Sequence, residues 1–279
     1  MSTAGTPLDT AIRLPCTRVD ADHARMAFPN HPGKHALPSL FQPRDTLRHA
    51  LRQQVVPDAV VMMYSARLRR EVLERYESRR FEAFFGEFHV VEVGSKQVGL
   101  LSGFGIGGPA AASVLEEAIA AGVRRVVSIG GAGGLCVGQV PGDVVVCDRA
   151  VRDEGVSHHY LEPDRYVRPH EELTVELIDM LEKRGSRVQV GGTWTTDAVY
   201  RETRQEVLAY RAEGVLTVEM EAASLAAVAQ YRGIAFATGF VVMDSLAEEA
   251  WEPKGLADAA AYEALNDLFD SAVAVLVAC

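Results

Sequence analysis

From Asp58 onward, apolar runs of strand length alternate with stretches of helical periodicity, and no linker interrupts them. That alternation constrains the chain more than any single motif, because strand–helix–strand units bury their apolar faces together only as a sheet covered by helices. Val60–Tyr64, Arg125–Ile129, Asp143–Cys147, Val188–Thr193, Val215–Val218 and Ile234–Met243 read as strands, and His89–Val93 with Gln97–Ser102 as a strand pair. Helical spacing marks Leu68–Tyr76, Pro109–Ala121, Glu171–Arg184, Arg201–Glu213, Glu221 to about Arg232, and Ala259–Val277. The expected fold is therefore a three-layer α/β/α arrangement with a mixed, mostly parallel central sheet.

Residues 1–57 differ in character. Seven of the twelve prolines and four of the eight histidines fall there, and Pro29, Pro32, Pro38 and Pro43 interrupt any long helix. The segment reads as an N-terminal extension, either a disordered tail or an arm packed on a neighbouring subunit, and Phe28, Leu37, Leu40 and Phe41, which give it something to bury, favour the arm. Residues 58–279 then form one domain, for which 48% hydrophobic content supplies a sizeable core. A net charge of −10, with no run of Lys and Arg to offset it, argues against nucleic acid as a partner. Cys16, Cys136, Cys147 and Cys279 lack CxxC spacing, which favours reduced thiols, and no metal-ligand pattern is present. No apolar leader opens the sequence and no stretch is long enough to span a bilayer, so a soluble cytoplasmic protein is expected.

The densest chemistry lies in Val218-Glu219-Met220-Glu221-Ala222-Ala223 and in Asp244, 23 residues after Glu221. The first group sits where a strand gives way to a helix, and the second closes a buried strand. Strand ends of this kind are where α/β proteins place ligands. One carboxylate that grips vicinal hydroxyls and another that serves a leaving group suit the cleavage of a ribosyl bond.

With its neighbours, this stretch resembles the signature of the nucleoside phosphorylase and nucleosidase superfamily, which includes uridine phosphorylases, hexameric purine nucleoside phosphorylases and methylthioadenosine nucleosidases. Further matches are Gly105-Ile106-Gly107-Gly108-Pro109, Ile129-Gly130-Gly131-Ala132-Gly133-Gly134-Leu135, Gly142-Asp143-Val144 and the segment Val151 to Tyr160. Trp194-Thr195-Thr196-Asp197, running on to Thr203, is most similar to the uridine phosphorylase branch. The resemblance implies a nucleoside substrate, no cofactor beyond inorganic phosphate as co-substrate, and a homo-oligomer built from dimers, commonly a hexamer. It further implies Glu221 and Met220 at the ribose, Asp244 as proton donor to the base, and Trp194, Ala132 and Gly133 against the base. In family members a histidine from a neighbouring subunit holds the 5′-hydroxyl, a role open to His31, His35 or His49.

Phosphate is the weak part of the match. Phosphorylases of this type carry a glycine-aspartate-proline loop followed by arginine, where this chain has Tyr64-Ser65-Ala66-Arg67-Leu68-Arg69. Arg67, Arg69 and Gly131 are the candidate phosphate contacts, and Ser128 stands where a second arginine is usual. Phosphorolysis, hydrolysis and nucleoside binding without chemistry all stay open. Gly103-Phe104-Gly105-Ile106-Gly107-Gly108 also satisfies the dinucleotide-binding pattern, but the next strand ends Ser128-Ile129-Gly130-Gly131 without the carboxylate that such sites need.

Overall fold

The computed structural model describes residue 31 and residues 33–46, 56–81, 85–247, 251 and 253–278. Phe28 and His49 lie outside the described residues. The strands are β1 Ala59–Met63, β2 Ser78–Phe81, β3 Glu87–Val93, β4 Lys96–Ser102, β5 Arg125–Gly134, β6 Val144–Asp153, β7 Tyr166–Val167, β8 Val188–Thr196, β9 Val215–Glu219 and β10 Ala235–Ser245. The helices are α1 Pro43–Thr46, α2 Ala66–Arg75, α3 Gly108–Ala121, α4 Glu171–Lys183, α5 Arg204–Ala212, α6 Ala222–Arg232 and α7 Ala259–Ala278. Helices α3 and α6 pack on one face of the sheet, over Val60, Met62 and Val126. Helices α2, α4 and α7 cover the other, over Val61, Val127 and Val241. The layers are those expected, because alternate residues of β1 and β5 feed the two cores in turn.

All ten strands join one mixed sheet. Parallel pairings link β4 to β1, β1 to β5, β5 to β10, and β6 through β8 to β9. Antiparallel contacts form the β2–β3–β4 flank and join β10 to β6 and β5 to β9. The path β5–β10–β6–β8–β9 thereby closes on itself as a five-stranded ring.

That closure makes the notch on which the site is built. Along one edge of β5, β1 pairs from Ala59↔Arg125 to Met63↔Ile129 and stops. Strand β9 arrives on the same edge from the opposite direction, pairing Val218↔Gly133. The carboxyl ends of β1 and β9 thus point at each other, with their last paired residues, Met63 and Val218, about 13 Å apart at the rise of a strand. Between them, among the described residues, Gly130–Ala132 have no strand partner on that side.

Three features depart from the sequence expectation. The glycine run 130–134 does not end the strand read as Arg125–Ile129; it is the second half of β5, paired with β10 throughout. Close approach explains its composition: a Cβ at Gly131 would lie 2.6 Å from Met243 Cγ, and one at Gly133 would lie 2.7 Å from Leu246 Cδ1. Helix α5 begins at Arg204, because Thr203 caps it in a reciprocal box with Glu206. Strands β2 and β7 carry too little apolar pattern to be read from sequence, with β2 spelling Ser-Arg-Arg-Phe. The described part of the N-terminal segment packs on its own chain: Lys34 Nζ meets His159 Nδ1 at 2.9 Å, and Arg232 reaches Gln42 at 3.4 Å. Leu40 and Phe41 remain exposed there.

Candidate active site

Strand β9 brings two carboxyl groups to the notch. Glu219, its last residue, is buried and accepts hydrogen bonds from the Thr195 hydroxyl at 2.6 Å and from the amides of Glu221 and Ala222 at 2.7 Å. These bonds occupy amides at the start of α6 that the helix itself leaves unpaired. Glu221, at the N-cap of α6, makes no cap bond; its Oε1 accepts the Gly107 amide at 2.5 Å instead. Gly103, Gly105 and Gly107 all adopt positive φ, so the loop that offers this amide requires glycine. Burial, and then the Glu221 carboxylate, push Glu219 above the ordinary carboxyl range; burial also raises Glu221. Met220 between them is partly exposed.

Across the notch, β1 delivers Tyr64. Its hydroxyl lies 3.2 Å from Ser128 Oγ, and its ring packs edge-on against Phe104 of the glycine loop, centroids 5.4 Å apart. A Cβ at Gly130 would come within 3.1 Å of the Tyr64 ring, so glycine there leaves the ring its place. Burial and the Glu221 carboxylate raise the Tyr64 pKa well above that of an ordinary phenol.

On the other edge of β5, a bulge at Met243 slides β10 by one residue, so that Asp244 pairs with Gly133. Asp244 Oδ1 lies 3.4 Å from where a Gly133 Cβ would stand, and Oδ2 accepts the Trp251 indole N–H at 2.5 Å. Burial raises the Asp244 carboxyl, opposed by the indole bond. Glu202 is pushed up to about 7, by burial first and then by Asp244 and Glu206. Gly133 therefore has Val218 on one side and Asp244 on the other, two strand spacings or about 10 Å across. Glu221 follows Val218 by three residues along the chain. Ala132 and Gly133 are buried in that strand, and Gly131 is exposed.

Three residues expected at the site make other contacts in the structure. Trp194 offers no face to a base: it is 1% exposed, packed with Leu135, Val151, Val207 and Val218, and its indole N–H is bonded to Asp153 at 2.9 Å. Strand alternation turns it into this third core, while its neighbours Thr193 and Thr195 face Glu219. Arg67 lies on the outer side of α2, ion-paired with Glu71 and stacked 3.5 Å above the Tyr262 ring. Arg69 is ion-paired with Glu87 at 3.0 Å beside Gly103. Neither arginine contacts the Glu221 side of the notch in these bonds.

Sequence reasoning gave no role to Glu154, which is buried and accepts from the Val156 and Ser157 amides and, at 2.6 Å, from the Ser224 hydroxyl. It ties the 154–157 loop to α6 directly behind Glu221. Its place in the matching segment Val151 to Tyr160 was the available signal. His158 Nε2 lies 3.1 Å from the Arg152 carbonyl in the same loop.

Known proteins share this framework. The family model of the phosphorylase superfamily matches residues 59–276. Among curated relatives, a guanosine phosphorylase of Halorubrum lacusprofundi is 32% identical over 130 residues, covering 47% of this chain and 54% of that protein. A uridine phosphorylase of Thermococcus kodakarensis is 32% identical over 143 residues, covering 47% and 52%. The chain thus spans about half the length of the curated relatives it matches. A purine nucleoside phosphorylase from Toxoplasma gondii superposes with a TM-score of 0.71 at 20% identity, covering 80% of this chain and 91% of that one. A uridine phosphorylase from Vibrio fischeri superposes with a TM-score of 0.69 at 22% identity, covering 81% and 91%.

Proposed function

Because the chain belongs to the phosphorylase superfamily, we propose that it cleaves the N-glycosidic bond of a nucleoside with inorganic phosphate as acceptor, a pentosyl transfer. The observation that carries this reading is the pairing of Gly133 with Val218, three residues before Glu221, on one edge and with Asp244 on the other. Glu221 accepts hydrogen bonds from the ribose 2′ and 3′ hydroxyls, and Met220 lies against the sugar as a soft apolar surface. The backbone at Ala132 and Gly133 runs beside the base, and that at Gly131 beside the phosphate. A phosphate oxygen bonds to C1′ as the C1′–N bond breaks. The bonding pair leaves with the base, which takes the proton held on Asp244, giving free base and sugar 1-phosphate. Burial keeps that proton on Asp244 to higher pH than an ordinary aspartate allows, as a general acid requires.

Hydrolysis of the same bond is the second reading, favoured by the ion pairs that hold Arg67 on Glu71 and Arg69 on Glu87. Phosphate is the only co-substrate in the first reading, and no organic cofactor is needed. No helix among the described residues is long and apolar enough to cross a membrane, which fits a cytoplasmic enzyme. Exposed Leu40 and Phe41 fit burial in a homo-oligomer built from dimers. Incubation with a panel of purine and pyrimidine nucleosides, with and without phosphate, tests the proposal. Base release that requires phosphate supports it, release without phosphate supports hydrolysis, and binding without release defeats both.

A further inference from the structure

The chain has two tryptophans, and the one buried in a core, Trp194, is not the one that meets Asp244. Beyond β10 the chain turns back over the end of its own strand. Arg211 donates to the Ala247 carbonyl at 3.3 Å on the way out, and the 3-10 turn Lys254–Ala257 returns against Met243. The return is so close that a Cβ at Gly255 would run into the Met243 carbonyl. This path sets Trp251 beside Asp244, and its indole N–H donates to Oδ2 at 2.5 Å. The ring is 60% exposed, so core packing does not account for its position. An indole N–H is a donor only, which makes Oδ2 an acceptor. When the carboxyl holds a proton, Oδ1 is therefore the oxygen that carries it, since a carbonyl oxygen accepts better than a hydroxyl oxygen. Oδ1 lies 3.4 Å from where a Gly133 Cβ would stand, and glycine there puts no side chain in front of it.

Resting on Asp244 as the proton donor proposed above, we infer that Trp251 is a positioning residue: its indole N–H fixes which oxygen of Asp244 carries the acid proton and turns that oxygen toward the leaving base. The same bond favours the ionised carboxyl, against the burial that raises it. Without the indole, Asp244 keeps its proton to higher pH but holds it on either oxygen. Glu202, which Asp244 helps to push up, is the neighbouring carboxyl in this field.

Steady-state turnover of the full chain, wild type against Trp251→Phe, Asp244→Asn and the double variant, tests the inference. Two substrates are compared, a nucleoside and a nitrophenyl riboside, whose leaving group departs as a stable anion and needs no proton. Trp251→Phe keeps an aromatic ring and removes the N–H. On the nucleoside its kcat falls roughly tenfold, the weight of one hydrogen bond to a charged group, with KM within about twofold. The alkaline fall of its rate moves to higher pH, and does so equally in a Glu202→Gln background. On the nitrophenyl riboside its turnover stays at the wild-type level. The double variant is no slower than Asp244→Asn, because the tryptophan acts through that carboxyl. Equal nucleoside kcat in wild type and Trp251→Phe overturns the inference, as does a loss of the same size on both substrates. A slow Asp244→Asn beside an unaltered Trp251→Phe leaves the proposed acid standing and sinks this inference alone. Near-wild-type base release by Asp244→Asn sinks the acid itself, and the inference with it.

Discussion

Adjacent carboxylates in this chain do different work, and the difference lies in what each is bonded to. Glu219 spends its oxygens on Thr195 and two α6 amides, whereas Glu221 is linked to Gly107 across the glycine loop. The sequence separated the two by position alone, and it read Trp194 as a base contact because a π face suits stacking. One-residue alternation in β8 decides otherwise, and which face a strand buries is settled by tertiary packing. Asp244 carries the strongest residue-level prediction. Asp244→Asn reduces base release by roughly 10² to 10⁴ with unaltered circular dichroism, and near-wild-type turnover removes it from the chemistry. Glu202 carries a pH prediction. Its carboxyl sits at about 7 in the folded chain, against about 4.3 when unfolded. Its contribution to stability is therefore complete below the unfolded value and is lost as pH rises through about 7. Glu202→Gln flattens the urea-midpoint profile between about pH 4 and 7; an unchanged slope contradicts the assignment.

Strands and helices with strong apolar rhythm were legible in the sequence, although β5 runs five residues and β6 six residues beyond the apolar stretches that marked them. Those built on special chemistry were not. Helix α5 starts at Arg204 because Thr203 and Glu206 form a capping box, a pattern visible in the sequence as threonine followed three places later by glutamate. Thr203→Ala should lower stability by about 1 kcal/mol, read from denaturant unfolding. The glycine loop makes a different demand. Gly107 has φ 94 and donates to Glu221, so Gly107→Ala strains the backbone by roughly 1–2 kcal/mol and loosens the carboxylate. Nucleoside affinity falls in that variant, and an unchanged affinity would separate Glu221 from the sugar. The run 130–134 hid the second half of β5 because glycine is rare inside strands, and here the close passage of Met243 and Leu246 requires it.

At the scale of the whole molecule, layer order followed from strand–helix alternation, but ring closure did not. It depends on β5 holding β1 and β9 on one edge and β10 on the other, a long-range pairing with no local signature. The notch exists because of that closure, so the site is a property of topology as much as of motif. Leu40 at full exposure and Phe41 at 70% belong to the same scale. Sedimentation should show an oligomer, and replacing both with serine should shift it toward monomer; a wild-type monomer excludes subunit burial of that segment. The most direct test of the site is a crystal structure with a bound, uncleaved nucleoside analogue. The ribose hydroxyls should bond to Glu221, with the base lying over Gly133 within hydrogen-bond reach of Asp244. A nucleoside bound elsewhere, or one touching only one of the two carboxylates, would contradict the shared site.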